Sequence, residues 1–315
     1  MRLPLAAPLP SAHDLRTLAR GRVLFCWILP TLACNLRCRH CRSWEQPGGE
    51  LELEFLARNV LPAASLAGAT FILEGGEFFL YSQHEQLLDL LDGRPVVLFS
   101  NASLPELVLR AVRRHKLRRL ILSLDGPPER NEELRSGSDL GALEKLLASA
   151  RGLTEVVLNQ TLSSRSRPAD LHFVERFARE HGVRVEHNVY SQVSYLGAPF
   201  PEAPLGVQEG LQPFAALYDR WLAGKVSLPC TSVRYVTTIY PDGSVRLCKK
   251  RPEAVLGNVR ERRFDLIWNA PRARELRRAA WTCNGCWLRC QRGFDLGLSR
   301  YGGWLPQTLL RRVLG

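Results

Sequence analysis

From residue 23 to about 190, short apolar runs alternate with stretches in which apolar residues recur at helical spacing. The runs cover residues 23–32, 70–73, 95–99, 117–124, 154–161 and 183–189, and the periodic stretches predict helices near 52–66, 83–92, 104–115, 139–150 and 168–181. Ser103 followed by Pro105, and Asp139, supply cap or first-turn signals for two of these helices. Strand and helix in strict alternation predict a parallel sheet. Such sheets gather ligands at the carboxyl ends of their strands. Polar residues stand there: Glu74-Gly75-Gly76-Glu77, Ser100-Asn101, Ser123-Leu124-Asp125-Gly126, Asn159-Gln160-Thr161 and His187-Asn188.

The rhythm breaks over residues 191–229, where Gly197 and prolines at 199, 201, 204 and 213 mark a linker or a segment covering a substrate. Beyond it, Asp242-Gly243 between two β-like runs reads as a hairpin. After residue 291 the pattern is an amphipathic tail, for which packing on the body of the protein is the default. Residues 1–21 read as a loose arm, too short and too proline-rich to span a bilayer. No membrane association is expected.

Composition adds two constraints. At 315 residues the chain can bury a large core, as one domain or as a barrel with an appendage. The net charge of +12 comes from 38 arginines against 5 lysines, which suits an acidic partner or simply well-solvated helix faces. Nine cysteines are too few and too clustered for a secreted disulfide scaffold; they read as metal sites in reducing surroundings, hence a cytoplasmic location.

Cys34, Cys38 and Cys41 form a CxxxCxxC run directly after the first strand. Three thiolates without a fourth nearby favour an iron–sulfur cube with one open iron, whereas zinc would need a fourth ligand, for which only His40 is at hand. Later come Cys230, Cys248, Cys283, Cys286 and Cys290. The hairpin brings Cys230 and Cys248 together, Cys283 and Cys286 complete a four-thiolate set, and zinc or iron–sulfur fits that spacing equally. Cys26, inside the first apolar run, reads as core.

The run CNLRCRHC resembles the CxxxCxΦC signature of radical S-adenosylmethionine (SAM) enzymes, with His40 at the Φ position. Gly75-Gly76-Glu77 resembles their GGE motif, with Phe78 where proline is frequent, and Ser123-Leu124-Asp125-Gly126-Pro127 followed by Asn131 and Arg135 resembles their SLDGP…N…R stretch. The pattern Cys230-X12-Gly243-X4-Cys248, then LGNV, IWNA and CNGCWLRC, resembles the SPASM/twitch extension. The likeness implies a partial (β/α)6 TIM-like barrel over residues 22–195, a covering segment over 196–229, a small α+β auxiliary-cluster domain over 230–291 and a tail over 292–315. It implies a SAM-binding 4Fe-4S cluster on Cys34, Cys38 and Cys41, and SAM contacts from His40, Gly75, Gly76, Glu77, Ser100, Asn101, Ser123, Asp125 and Arg135. For Arg135 the alternative is a surface ion pair with Glu132. One auxiliary 4Fe-4S cluster would lie on Cys230, Cys248, Cys283 and Cys286, with Cys290 a candidate hydrogen donor. Trp44 is a candidate shield for the first cluster, and Tyr190 and Tyr195 stand near the expected substrate mouth.

The resemblance implies reductive cleavage of SAM to a 5′-deoxyadenosyl radical and hydrogen abstraction from a peptide or protein, leading to crosslinking, oxidation or epimerisation. An external one-electron reductant of flavodoxin or ferredoxin type is then required. With no appended N-terminal recognition domain expected, a separate peptide-recognition protein is a candidate partner. The alternatives are a dehydrogenase or epimerase of a sugar or aminocyclitol and, from another class, a zinc-stabilised nucleic-acid-binding protein.

Overall fold

The apolar runs pair as strands because alternate side chains find a core on either side. The computed structural model describes residues 12–46, 49–193, 200–228, 230–280 and 282–298. Its strands are β1 (Phe25–Ile28), β2 (Arg37–Cys38), β3 (Thr70–Leu73), β4 (Val96–Ser100), β5 (Arg119–Ser123), β6 (Arg135–Ser136), β7 (Val156–Leu162), β8 (Arg184–Val189), β9 (Val236–Ile239), β10 (Ser244–Arg246) and β11 (Val255–Asn258). Among the described residues, nine form one sheet in the order β11-β10-β9-β1-β3-β4-β5-β7-β8, and β2 pairs with β6 alone. The six strands from β1 to β8 in that order are all parallel, the strand half of a partial (β/α)6 barrel.

Two cores follow from the alternation. Cys26 and Ile28 of β1, Phe71 and Leu73 of β3, Val96 and Leu98 of β4 and Leu120 and Leu122 of β5 pack outward under the helices. Phe25, Trp27, Ile72, Val97 and Phe99 fill the inner side. Cys26 is thus core.

The expected helices form, with one difference. Pro105–Arg114, Leu140–Ala150 and Pro168–His181 start and stop close to the expected positions; Asp139 Oδ1 accepts the Ala142 N–H at 3.1 Å, and Gly182 ends its helix at φ +67°. The stretch 52–66 instead breaks into Leu53–Phe55, a π turn at Leu56–Val60 and a 3-10 turn at Ala64–Leu66. Pro62 has no N–H and its ring obstructs the preceding turn, while buried Asn59 donates its amide to Val259 O at 2.6 Å. An additional helix, Pro128–Leu134, starts with Pro128 in its first turn.

The hairpin at Asp242-Gly243 forms, Gly243 taking φ +77°. It does not sit apart from the barrel: β9 pairs in parallel with β1, Phe25 opposite Val236 and Ile28 opposite Ile239. The C-terminal segment therefore extends the barrel's own sheet. Helix Phe264–Trp268 reinforces the join, Asp265 accepting the N–H groups of Ala64 and Ser65 at 2.9 Å each. Among the described residues no helix is long and apolar enough to cross a membrane.

Burial alone would raise the Asp265 carboxyl, but the Ser65 and Ala64 donors outweigh it and hold its pKa below the usual value. A depressed acid stabilises above its unfolded pKa of about 3.9 and loses that contribution as pH falls through the folded value. Asp265→Ala is expected to cost about 1–2 kcal/mol in urea unfolding at pH 7, with the difference from the parent protein shrinking as unfolding is repeated below pH 4.

Candidate active site

The cysteine loop leaves β1 through residues 31–33, whose main chain is pressed against Gly75 and Gly76 at the end of β3. Gly76 N–H donates to Thr31 O at 3.2 Å and Glu77 N–H to Ala33 O at 2.8 Å. A Cβ on Gly75 would lie 2.2 Å from Thr31 O, and one on Gly76 would lie 2.1 Å from Ala33 O and 2.4 Å from Leu32 O. Only glycine permits this approach.

Glu77 is buried, and its carboxylate accepts Ser100 Oγ–H at 2.9 Å, Asn101 N–H at 2.8 Å and Phe79 N–H at 3.3 Å. Burial pushes its pKa up to about 7, against the pull of those donors. Glu77 thus ties the ends of β3 and β4 together. Asn101, so placed, turns its Nδ2–H toward Cys34 Sγ at 3.8 Å and Asn35 Oδ1 at 3.1 Å.

The second tether is β2–β6, which sets Cys38 opposite Arg135. Arg135 is buried; its Nε–H donates to Asp125 Oδ2 at 2.7 Å, and one guanidinium nitrogen lies 3.9 Å from Cys38 Sγ. The alternative pair with Glu132 is not formed, because the helix ends at Leu134 and Glu132 instead accepts the N–H groups of Gly137 and Ser138. Asp125 is held on every side: its N–H donates to Asn131 Oδ1 (2.8 Å), Oδ1 accepts Thr161 N–H (2.7 Å) and its carbonyl accepts Gln160 Nε2–H (3.2 Å). His40 Nδ1 lies 3.9 Å from the same carboxylate. Burial, with Arg135 adding, pulls the His40 pKa down to about 4, so the ring is neutral at pH 7. Ser123 closes β5 opposite Asn159, half-buried.

Each thiol of the trio has a nitrogen donor: Asn101 for Cys34, Arg135 for Cys38 and the Ser43 N–H for Cys41 at 3.4 Å. Burial raises all three pKa values, to about 11 for Cys34 and about 12 for Cys41, and each of these two feels its neighbours' charge. Buried and half-buried thiols with N–H donors and, among the described residues, Arg135 as the cation that contacts them fit a cationic cluster, which would hold them as thiolates. Trp44 packs beside the loop, its Nε1–H on Cys41 O at 3.2 Å and its ring under Arg37 at 5.1 Å.

Cys230, Cys248 and Cys286 are close enough to feel one another's charge, and Cys248 also feels that of Cys283, although they come from segments far apart in the chain. Burial raises Cys230 to about 11 and raises Cys248 and Cys286 as well, while N–H groups of Lys250, Arg251 and Leu288 and the Ser232 hydroxyl face the sulfurs. The segments are clamped by a buried ion pair that the sequence reading missed. Arg292 Nε lies 2.8 Å from Asp295 Oδ2, its other nitrogens donate to Leu228 O, Cys283 O and Asn284 Oδ1, and Asp295 accepts Thr231 N–H at 2.8 Å. Spacing of three on one helix was its only signal. Among the described residues no three His, Cys, Asp or Glu side chains converge on a single ion; a four-iron cube takes its thiolates at separate corners and needs no such convergence.

Two lysines beside Cys248 were also missed. Lys249, buried, reaches into the barrel to Glu74 Oε2 at 2.8 Å and lies over the Trp27 ring at 3.5 Å. Lys250 Nζ donates to Glu202 Oε1 at 2.5 Å, which also accepts Ser191 Oγ–H and Gln192 N–H. Their signal was present: two of only five lysines stand in succession after Cys248. Tyr190 stacks on Phe200, ring centroids 4.1 Å apart, and donates to Phe200 O at 2.9 Å. Tyr195 lies outside the described residues, as does the side chain of Cys290, whose main chain belongs to helix Arg289–Leu298.

A family model of the radical SAM superfamily matches residues 28–162, the stretch from the end of β1 to the end of β7 that includes the first trio. Residues 28–162 thus carry a radical SAM domain. A second model, the iron–sulfur cluster-binding SPASM domain, matches residues 230–287. The match decides for the enzyme over the zinc-stabilised binding protein. Among solved structures, Streptococcus suis SuiB bound to S-adenosylmethionine is similar with a TM-score of 0.67 at 17% identity, over 82% of this chain and 68% of that one. The anSMEcpe protein with bound AdoMet is similar with a TM-score of 0.60 at 18% identity, over 83% and 81%. A search of curated proteins by sequence finds no match. The two domains imply iron–sulfur clusters and SAM binding in this radical SAM enzyme.

Gly76→Ala is expected to cost about 2–3 kcal/mol in urea unfolding, since the obstructing atoms are main chain and cannot swing aside. Gly49→Ala, with open space around it, is the control and is expected to stay within about 0.5 kcal/mol. Arg135→Met strands the Asp125 carboxylate and is expected to cost about 3–5 kcal/mol in the same assay.

Proposed function

We propose that this radical SAM enzyme modifies a peptide or protein, with the SAM-binding cluster on Cys34, Cys38 and Cys41 and one auxiliary cluster on Cys230, Cys248, Cys283 and Cys286. The observation that carries the reading is the reach of Lys249 and Lys250. Directly after Cys248, one touches Trp27 and Glu74 inside the barrel and the other touches Glu202 at its mouth. The auxiliary loop is thereby a wall of the same chamber into which the strand ends open, and a substrate there lies between two redox sites.

Cys34, Cys38 and Cys41 would hold the cluster, which with SAM would supply radical chemistry for hydrogen abstraction from a substrate carbon. The chain's own residues do the rest. Gly75 and Gly76 expose main chain at the end of β3, Arg135 offers a cation for the SAM carboxylate with Asp125 fixing its plane, and neutral His40 adds no charge beside them. Glu77 locks β3 to β4 so that Asn101 keeps its aim on Cys34. Phe200 on Tyr190, with the Arg165 guanidinium 5.2 Å over the Phe200 ring, excludes water from the mouth.

A peptide substrate is supported by two of the similar structures: SuiB has been solved bound to precursor peptide SuiA, and anSMEcpe with AdoMet and the Cp18Cys peptide. The residues around the chamber fit such a chain, with a largely apolar wall of Trp27, Ile72 and Phe99 facing polar Ser123, Asn159 and Asn188.

The test is anaerobic reconstitution of the parent protein and of the Cys34→Ala/Cys38→Ala/Cys41→Ala variant, with iron counting, 5′-deoxyadenosine detection and mass spectrometry of candidate peptides under reduction. About eight irons, deoxyadenosine and a peptide mass change are expected for the parent, against about four irons and neither product for the variant. Deoxyadenosine formed only with sugars or aminocyclitols would overturn the peptide assignment.

A further inference from the structure

Four cysteines from the two sets share one local arrangement, in which the sulfur faces the main-chain N–H two residues further on. Cys34 faces Leu36 in this way, Cys41 faces Ser43 at 3.4 Å, Cys248 faces Lys250 and Cys286 faces Leu288. Such donors belong to the backbone, so a change of side chain leaves them in place.

Cys230 departs from this arrangement. Residue 232 opens the 3-10 turn Ser232–Arg234, which is closed by Tyr235 N–H donating to Ser232 O at 2.9 Å. Here the side chain of residue 232 meets the sulfur: Ser232 Oγ lies 3.2 Å from Cys230 Sγ. Ser232 is 0% exposed and Cys230 6%, so water hardly competes for either atom. In a free serine–cysteine pair either group can donate, but a thiolate bound to iron has no proton to give, and the hydroxyl is then the donor. Two buried charges act on the same sulfur from the other side. Asp295, which accepts Thr231 N–H at 2.8 Å, disfavours negative charge on Cys230, while its partner Arg292 favours it, and the hydroxyl adds to the side of Arg292.

We propose that Ser232 sets the electron affinity of the auxiliary cluster, its hydroxyl stabilising the reduced form through Cys230. An added electron spreads onto the sulfurs of an iron–sulfur cluster, and a donor aimed at one of them stabilises that charge and raises the reduction potential. Position 232 is thus where the amino-acid sequence, and not the fold, chooses the donor. One electron is gained from the reductant, which is oxidised by one, and no bond is made or broken. The proposal rests on the reading that Cys230, Cys248, Cys283 and Cys286 hold the cluster.

The experiment is an anaerobic dithionite titration of the reconstituted full chain, followed by electron paramagnetic resonance, for the parent protein, Ser232→Ala and Ser232→Thr. The auxiliary signal is the one that survives in the Cys34→Ala/Cys38→Ala/Cys41→Ala variant. Ser232→Ala is expected to bind the electron about three- to tenfold more weakly, a downward shift of about 30–60 mV at about 59 mV per tenfold for one electron. Its iron content and the potential of the first cluster are expected to match the parent. Ser232→Thr, which keeps the hydroxyl, is expected to stay within about twofold of the parent, as is Thr237→Val, which removes a buried hydroxyl that has no hydrogen-bond partner among the described residues. An unchanged auxiliary potential in Ser232→Ala would overturn the proposal, as would an equal shift in Ser232→Thr, which would assign the effect to packing. If Ser232→Ala does not fold, Ser232→Gly, which also lacks the hydroxyl, carries the same comparison. A parent protein without iron at the C-terminal cysteines would instead overturn the cluster reading beneath it.

Discussion

Two stretches of main chain, residues 31–33 and 74–77, touch with no side chain between them, and the rest of the site is hung from that contact. It fixes where the cysteine loop departs from β1 and where β3 hands over to Glu77. Glu77 then carries the constraint to β4 through Ser100 and Asn101, and Asn101 returns it to Cys34. The path is closed on the other side by Asp125, Arg135 and Cys38. The loop is therefore held at three of its points by groups whose own positions are over-determined, which is what a site for a bulky cofactor requires.

The same logic governs the C-terminal half, with charge in place of main-chain contact. Arg292 and Asp295 are buried together on one turn of helix, and a buried pair of this kind is worth little as stability against apolar replacements. Its use is to bring distant main-chain segments, 228–231 and 283–284, into one fixed arrangement. Lys249 plays the corresponding part between the auxiliary loop and the barrel.

Much of this was legible in the sequence because it is local. The strands, the CxxxCxxC loop and the polar strand ends are consecutive residues, and the structure brings them to one end of the sheet. The hairpin at Asp242-Gly243 was legible for the same reason. What was hidden depended on partners distant in the chain. Nothing near Lys249 names Glu74 or Trp27, and nothing near Arg292 names Leu228. The partner of Arg135 was hidden more subtly: helical spacing suggested Glu132, but the helix ends one residue earlier, so Arg135 takes its direction from β6 and meets Asp125 instead. In residues 52–66, periodicity argued for one helix and Pro62 against it, and the proline prevailed.

The pairing of β1 with β9 has a kinetic side. β1 is the first strand of the barrel to be made, yet its outer neighbour comes from the last third of the chain, after every other parallel strand is complete. Until then one edge of β1 carries unpaired main-chain groups beside the cysteine loop, the kind of edge that recruits other chains. Contacts between such distant segments form late and slowly. The seam between β1 and β9 is thus the contact of this sheet that synthesis completes late, and the one whose open edge most exposes the chain to aggregation.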